Sequence, residues 1–466
     1  MALKTHPKVS LHSSNRALEQ GFERLKHQAL HWVFEGYPVG DYYEAALPNR
    51  DAFCIRDVAH QCVGGEVLGL SSHNKNMFLK FARSISESRG WCGYWEIDRW
   101  DRPCPVDYTN DEDFWYNLPA NFDVLDACWR IYKWTGDRDY ITHEDFDHFY
   151  TRTMEDYIKT WDSNGDGIPD RGPKKEQFTR RGIPGYDEAQ DVWNIMQTAT
   201  DTVAIMTRAF YSYSEMCTEL GRNEQAVIYA RKASALQERL NRDFYTDEKG
   251  FARGVDFEGN LIHRSEYSDG GAMLSVPDTK GREKMIDDYT GSMATVKDSF
   301  SILYRDAVPD AGRREKMLDG YARSLATAKI EWLSHYPEVL WYFGRKKEAM
   351  ASLLKLMDPS LYRKEYPEAS FCAIGAVATG LMGVKPDASL NKVTTLSGLE
   401  TNNWVELRYL PVLGQELSIR HEGTTTELYL EGSKPILWQP NFYKGSEVCA
   451  GNLVMVTPGE VILSKL

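Results

Sequence analysis

The stretch NRALEQGFERLKHQALHWVF at residues 15–34, followed by VAHQCVGGEVLGL at residues 58–70, sets the pattern that decides the fold. The first stretch has apolar residues at helical spacing with charges between them, which is typical of an amphipathic helix with one face in solvent. The second carries almost no charge on any side, so we expect a helix that is buried all round. An outer helix followed by an inner helix is therefore the predicted repeating unit.

This pairing recurs five more times along the chain. The further outer and inner segments are 75–88 with 122–134, 146–161 with 192–220, 224–244 with 297–307, 313–326 with 332–343, and 346–357 with 371–382. Six helical hairpins is the count at which a double ring of helices closes on itself. The segment 371–382, FCAIGAVATGLM, is apolar and rich in small residues all round, which favours the inner ring.

The pattern changes after Pro386. From Lys392 onward the segments KVTTL, WVELRYL, ELSIRH, TELYLE and VILSKL alternate apolar and polar residues between Gly and Asn turns, as antiparallel strands do. The sequence therefore predicts a mainly α fold: an (α/α)6 toroid at residues 15–386, an N-terminal extension at 1–14, and a small antiparallel, β-sandwich-like domain at 387–466.

Composition excludes several classes of partner. The chain has 55 Lys and Arg against 68 Asp and Glu, a net charge of -13, and no basic stripe that would neutralise nucleic-acid phosphates. No apolar run approaches the roughly 18 residues that a membrane span needs, and the start has no signal-peptide core. We expect a soluble chain, cytoplasmic as numbered, or exported if a signal was removed. Eight cysteines without a CxxC pair predict buried free thiols. Oligomeric state stays open.

Connections between the predicted helices differ on the two sides of the array. Short ones such as WTGDRDY lie on one side. Long connections that carry acids and aromatics lie on the other, namely GDYYEAALPNRDAFCIRD, WEIDRWDRPCPVDYTNDEDFWYN, EQFTRRGIPGYDEAQDVW, HRSEYSDGGAMLSV, TAKIEW and LYRKEYPEAS. Loops that converge on one end of a rigid ring are where a pocket forms.

One of these connections, EQFTRRGIPGYDEAQDVW at residues 176–193, places four carboxylates beside Tyr186 and Trp193. Acids next to aromatic rings in such a loop indicate a site that holds a sugar and protonates its glycosidic oxygen. The donor must keep its proton near neutral pH, which burial beside aromatic surface favours. Asp191 ranks first for this role and Glu188 second.

Glycoside hydrolysis needs a second carboxyl group that stays ionised, about 6.5–9.5 Å from the first for inversion or about 5–5.5 Å for retention. Glu365 and Glu368, in the last long connection beside Arg363 and Tyr366, suit this role. As first-turn residues of helices, all these acids have an alternative role as caps that satisfy free N–H groups.

At these motifs the chain resembles the six-hairpin, (α/α)6-barrel glycoside hydrolase superfamily over nearly all of residues 15–466. NRDAFCIRD is similar to a loop of bacterial α-L-rhamnosidases, and Arg56-Asp57 resembles the pair with which glucoamylases hold the terminal sugar. DSNGDGIPD followed by DVW is similar to a loop of glucosylceramidase-like β-glucosidases. The resemblance implies an exo-acting, inverting hydrolase in which Arg56 and Asp57 hold the terminal sugar. Among the acids and aromatics of the long connections, we expect Trp100, Asp101, Tyr186, Trp193, Glu331 and Trp332 to bind substrate as well. We expect no cofactor and no metal.

Two positions depart from those families. Asn194 stands where glucoamylases carry their catalytic Glu, and Ala52 stands where rhamnosidases carry a Glu. The proton donor therefore stays open among Glu188, Asp191 and Asp57.

Other interpretations remain. A sugar isomerase or epimerase on the same barrel would need two histidines facing the cavity, and His60 and His335 together would favour it, although each alone is typical of packing. A non-catalytic sugar-binding relative is the third class. A phosphorylase would need a cationic phosphate cradle, for which only Arg180-Arg181 is nearby. DSNGDGIPD begins like a calcium loop, but Pro173 occupies its twelfth position, which favours a plain turn.

Overall fold

A computed structural model describes residues 7–45, 47–172, 181–186, 196–263, 307–326, 328, 330–400, 403–445 and 447–466. In these ranges, helices dominate up to Leu381 and strands dominate from Lys385 onward. The chain is thus mainly helical with a separate, β-sandwich-like C-terminal region, as its sequence pattern predicts.

The helices, numbered within the described ranges, have these bounds: α1 Arg16–His31, α2 Ile55–Val67, α3 Ser71–Ser84, α4 Ala120–Thr135, α5 Asp139–Thr142, α6 Glu144–Arg152, α7 Ile158–Trp161, α8 Thr200–Glu219, α9 Asn223–Asp243, α10 Ala311–Ser324, α11 Ile330–Leu333, α12 Tyr336–Tyr342, α13 Lys346–Leu356 and α14 Pro367–Ala376. Two π-helical segments continue this series, Thr153–Tyr157 between α6 and α7, and Val377–Leu381 after α14.

The strands have these bounds: β1 Ser10–Ser13, β2 Val33–Tyr37, β3 Gly40–Tyr43, β4 Ala52–Cys54, β5 Glu96–Asp98, β6 Tyr108–Asn110, β7 Asp113–Asn117, β8 Arg181–Ile183, β9 Met196–Ala199, β10 Tyr245–Thr246, β11 Gly250–Phe251, β12 Gly254–Asp256, β13 Leu261–Ile262, β14 Lys385–Asp387, β15 Lys392–Leu396, β16 Trp404–Val412, β17 Gln415–Glu422, β18 Thr425–Glu431, β19 Ile436–Lys444, β20 Glu447–Ala450, β21 Val454–Val456 and β22 Val461–Lys465.

The predicted alternation of outer and inner helices is confirmed for the described hairpins. Each apolar helix packs on the next, since α2 contacts α4, α4 contacts α8, and α14 contacts both α12 and α2. The amphipathic helices lie outside them, with α1 against α14, α3 against α2, and α9 against α8. All ten residues of α14 are buried, because its sequence PEASFCAIGA offers no charged face to solvent.

Two predicted segments differ in the structure from the sequence pattern. The inner segment predicted at 192–220 starts as a helix only at Thr200, because residues 196–199 pair with β12 as strand β9. The segment predicted at 332–343 is divided into α11 and α12, and Pro337 in the first turn of α12 fits a new helix start. Nearly all of the segment predicted at 297–307 lies outside the described residues.

The C-terminal strands form two sheets, one in the order β1-β16-β17-β18-β22 and one in the order β14-β15-β19-β20 with β21 on β19. The five predicted strand segments correspond to β15, β16, β17, β18 and β22. The predicted N-terminal extension contributes β1, whose Ser10 pairs with Arg408 of β16. This pairing joins the N-terminal segment to the C-terminal β region.

Short sheets give structure to the long connections at one end of the helices. β4 pairs with β5, β7 pairs in parallel with β8, and β9 pairs with β12. All eight cysteines are free thiols and seven are buried, as predicted. No helix in the described ranges is long and apolar enough to cross a membrane.

Glu66, near the end of α2, is a buried acid that makes stability depend on pH. It accepts hydrogen bonds from Asn74 at 2.7 Å and from the Ser71 hydroxyl. Burial raises the pKa of Glu66 from 4.5 to about 7, against those two hydrogen bonds. Between pH 4.5 and 7, Glu66 is therefore protonated in the folded chain and ionised in the unfolded chain.

We expect this contribution of Glu66 to be complete below pH 4.5 and to be lost as pH rises through 7. The change amounts to roughly 3 kcal/mol at about 1.36 kcal/mol per pKa unit. Glu66→Gln keeps the shape and does not titrate, so its denaturation midpoint should fall less than that of the wild type between pH 5 and 8. Parallel pH profiles of the two proteins would contradict this assignment.

Candidate active site

The first turns of the inner helices carry acidic residues that are linked to one another by contacts. These acids are Asp57 on α2, Asp123 on α4, Asp201 on α8 and Glu368 on α14. A carboxylate in the first turn is stabilised by the positive end of the helix dipole. The linked side chains show that these helices all begin at the same end of the molecule.

Glu368 lies between two histidines from different helices. Its Oε1 is 2.9 Å from Nδ1 of His60 on α2 and 3.0 Å from Nε2 of His335, the residue before α12. The side chains of His60, His335 and Glu368 are 6%, 3% and 4% exposed. Burial alone would raise the pKa of Glu368, but the neighbouring His335 and His60 outweigh burial and hold it well below the usual range. Glu368 is therefore ionised at any physiological pH.

Asp123 continues this cluster on the other side of His60. The Tyr186 hydroxyl donates to both carboxylate oxygens of Asp123 at 2.7 Å, and Nε2 of His60 lies 4.0 Å from Oδ1 of Asp123. The Arg56 guanidinium lies over the rings of Tyr186, at 5.1 Å, and of Trp95, at 5.3 Å. Two aromatic faces, a cation and buried acids thus surround the start of α2.

Asp201 has the opposite electrostatic character to Glu368. Its Oδ2 accepts the backbone N–H of Tyr186 at 2.9 Å, and its Oδ1 atom is buried. Burial raises the pKa of Asp201 to about 6, although backbone N–H groups of Tyr186 and Thr202 oppose the shift. One site therefore holds an acid that stays ionised and an acid that is poised near neutrality. This is the combination that acid–base chemistry on one substrate requires.

A third group of contacts joins α11 to the connection before α14. Arg363 forms an ion pair with Glu331 of α11, and its guanidinium lies 5.4 Å from the ring centre of Tyr366. Burial raises the pKa of Tyr366 well above 10, and the charges of Asp57, Glu368 and Glu331 add to the shift. Tyr366 thus stays a neutral phenol among three carboxylates.

The structure brings together five of the predicted site residues: Arg56, Asp57, Tyr186, Glu331 and Glu368. Trp332 is half-buried next to Glu331. Trp100 is 55% exposed, and Asp101 is exposed and pairs with Lys80 on α3 at 2.6 Å. Glu365 is exposed as well. Glu188, Asp191 and Trp193 lie outside the described residues.

Sequence reasoning missed Asp123, Asp201 and the shared contact of the two histidines with Glu368. The signal for Asp123 was an acid in the apolar segment NFDVLDACW, since buried carboxylates are rare unless they are paired. Asp126 in the same segment has a structural role, because Arg130 and Arg208 each donate a hydrogen bond to its carboxylate at 3.0 Å. Of these two acids, Asp123 is the one that lies beside His60.

The Asp162 turn has the hydrogen bonds of an ordinary turn. The two oxygens of Asp162 accept the backbone N–H groups of Asp166 and Gly167, both at 2.9 Å. Asp166 pairs with Arg239 of α9 at 3.0 Å. Protein donors thus take up these carboxylates, in line with the turn that the sequence favours.

No family model and no curated protein matches this chain. Among solved structures it is similar to the native α-L-rhamnosidase from Aspergillus terreus, with a TM-score of 0.60 and 12% identity over 99% of this chain and 50% of that one. A putative kojibiose phosphorylase from the human microbiome gives 0.59 and 9% over 98% and 63%. A GH78 family rhamnosidase of Bacillus sp. GL1 gives 0.55 and 14% over 94% and 43%.

The chain spans about half the length of these structures. At such identities the likeness concerns the fold alone. The chain therefore shares its fold with these carbohydrate-active enzymes.

Proposed function

We propose that this protein is a glycoside hydrolase that removes a terminal sugar from an oligosaccharide, polysaccharide or glycoconjugate. The observation that carries the proposal is the pair of acids with opposite pKa shifts at one end of the helices. Glu368 is held ionised by two histidines, and burial raises the pKa of Asp201 to about 6. Glycosidic bond cleavage needs one carboxyl group in each state.

We further propose that the helices close into an (α/α)6 toroid over residues 15–386, with β1 of the 1–14 extension attached to the domain at 387–466. The contact between α14 and α2, the last and first inner helices, supports closure. It is so close that a Cβ atom on Gly64 would lie 2.0 Å from the carbonyl oxygen of Phe371. A ring closed in this way leaves one end for a pocket that admits the end of a sugar chain.

In this proposal Glu368 is the ionised carboxylate, and Asp191, with Glu188 as the second choice, donates the proton to the leaving oxygen. Asp201 supports this assignment indirectly, because its raised pKa shows that burial at this end of the helices keeps a carboxyl group protonated close to neutral pH. Tyr186 supports the second assignment, because it lies in the cluster and precedes Glu188 by two residues in the chain. Arg56 and Asp57 bind sugar hydroxyls, and the faces of Trp95 and Tyr186 pack against the ring. Glu368 accepts a proton from the water molecule that attacks from the side opposite the donor, and this attack inverts the anomeric centre.

Asp191→Asn is expected to lower hydrolysis by at least about a thousandfold for glycosides with poor leaving groups. A panel of nitrophenyl glycosides, including α-L-rhamnoside, α- and β-glucoside and β-glucuronide, first identifies the sugar. The loss should be much smaller for the dinitrophenyl glycoside of that sugar, because its leaving group departs without a proton. Asp187→Asn in the same connection is the matched control. Equal losses for both leaving groups would contradict the donor role, and full activity would remove Asp191 from the site.

A sugar isomerase or epimerase is the second candidate, and the joint contact of His60 and His335 with Glu368 favours it. Such an enzyme moves a proton between carbon and a base. Free aldoses incubated with the protein in D2O would then gain deuterium at C2, seen by proton NMR. This function would be favoured over the first if the wild type incorporates deuterium at C2, His60→Gln does not, and no glycoside is hydrolysed.

A further inference from the structure

We propose that Nδ1 of His60, Nε2 of His335 and the carboxylate of Glu368 form a binding site for a divalent transition-metal ion, with Zn2+ as the ion that these donors favour. The sequence alone predicted no metal, because the three residues are far apart in the chain. This inference goes beyond the proposed function and does not depend on it.

The geometry of the three donors is close to that of a metal site. All three ligand atoms lie within 4.8 Å of one another, and the two nitrogens are 2.9 and 3.0 Å from Oε1 of Glu368. Zinc bonds of about 2.0–2.1 Å in a tetrahedral site separate neighbouring donors by roughly 3.3 Å. The two nitrogen-to-oxygen distances therefore need to lengthen by only about 0.4 Å to match zinc coordination.

Each ligand comes from a different inner element, which makes the site rigid. His60 belongs to the second turn of α2, His335 precedes α12, and Glu368 lies in the first turn of α14. All three are buried, and α14 packs against both α2 and α12. Two histidines and one glutamate form a known zinc donor set that leaves a fourth position for water or a substrate oxygen.

The surroundings of His60 match those of a metal-binding histidine. When Nδ1 binds the metal, Nε2 carries the ring proton and needs an acceptor, which in metalloproteins is often a carboxylate. Oδ1 of Asp123 lies 4.0 Å from Nε2, and the Tyr186 hydroxyl holds this carboxylate in place at 2.7 Å. At 4.0 Å this carboxylate lies beyond hydrogen-bond distance of Nε2, and a ring shift of about 1 Å on metal binding would make it the outer partner.

The negative charge of Glu368 can be balanced in two ways, by a metal ion or by a proton on one of the histidines. A carboxylate buried between two imidazoles needs a positive partner, either a proton on one ring or a metal ion. A shared proton responds to pH and is indifferent to chelators. A metal ion is removed by a chelator and returns when the ion is added back.

The test uses the purified full-length protein after treatment with a chelator, titrated with Zn2+ and with Co2+, whose visible absorption reports nitrogen and oxygen ligands. We expect one ion per chain by elemental analysis, and affinity at least about a hundredfold lower in His335→Gln and Glu368→Gln. Asp123→Asn should weaken binding by about 10- to 100-fold, as losses of outer partners do. His73→Gln, a buried histidine on α3, should bind as the wild type does.

Zn2+ should also raise the thermal midpoint of the wild type and leave that of His335→Gln unchanged, because only a folded protein with an intact site gains from the ion. His335→Gln keeps the bond from His60 to Glu368, so it retains one of the two buried contacts. Uptake of less than about a tenth of an ion per chain, or equal affinity in His335→Gln and the wild type, would overturn the site. These readouts need no substrate, so they stand or fall separately from hydrolysis.

Discussion

Replacing Glu368 by glutamine is expected to lower kcat for glycoside hydrolysis by at least about a thousandfold with little change in KM. The side chain keeps its size and one acceptor oxygen, so the contacts with His60 and His335 change little in shape. What disappears is the negative charge, which those two histidines maintain by holding the pKa of Glu368 well below its usual range. Steady-state kinetics with the aryl glycoside that the wild type cleaves measures the loss.

The matched control is Glu365→Gln, the same substitution three residues earlier in the same connection. Glu365 is exposed, whereas Glu368 is buried, so the two predicted acids are separated by one experiment. A loss confined to Glu368→Gln assigns the ionised role to Glu368, and a loss confined to Glu365→Gln reverses that assignment. Recovery of Glu368→Gln activity in excess Zn2+ would show that Glu368 acts as a ligand of the metal and has no separate chemical role.

The pH profile of the wild type adds a second measurement. Because the pKa of Glu368 is depressed, the acid limb of kcat/KM for the wild type should not rise at the usual pH of a glutamate. A group that must stay protonated sets the alkaline limb, and for Asp201 that limb would fall near pH 6. If kcat/KM of Asp201→Asn still decreases near pH 6, Asp201 is not the group whose proton the reaction needs.

The helical hairpins were predictable because exposure differs so strongly between the two members of each pair. α1 has charges along one face because that face meets solvent, whereas α14 is surrounded by protein and carries a single charged residue, the buried Glu368. Pairings between distant segments have no such local signal. β1 joins β16 across nearly 400 residues, and β9 replaces the start of a predicted helix because β12 offers it hydrogen bonds.

The candidate site was predictable where acids and aromatics gather next to helix starts, as for Arg56, Tyr186 and Glu368. It was not predictable where the answer depends on contact across the fold, since 308 residues separate His60 from Glu368. Orientation within a short stretch was also hidden. In WCGYWEIDRW, Trp95 faces Arg56, whereas Trp100 lies 55% exposed in the turn that follows β5.

Gly64→Ala is expected to destabilise the helical domain strongly, although it adds a single methyl group. A Cβ atom there would lie 2.0 Å from the carbonyl oxygen and 2.7 Å from the carbonyl carbon of Phe371. Both atoms are backbone, so no side chain can move aside, and α2 must separate from α14. We expect the folded state to lose about 3 kcal/mol or more, or to be absent from soluble expression.

Gly375→Ala is the matched control, because Gly375 faces Gly64 across the same helix contact. Its Cβ would meet the Gly64 nitrogen at 3.3 Å, a tight approach that small shifts relieve. Exchange of glycine for alanine inside a helix also gains up to about 1 kcal/mol in helix propensity. Urea denaturation followed by Trp fluorescence should therefore place Gly375→Ala near the wild type and Gly64→Ala far below it. His60 lies one turn before Gly64 on α2, and Glu368 lies on α14. Any Gly64→Ala protein that folds should therefore lose the contact between His60 and Glu368, and with it hydrolysis. Equal midpoints for the two variants would show that the helices do not approach this closely, and closure of the ring between α14 and α2 would lose its main support.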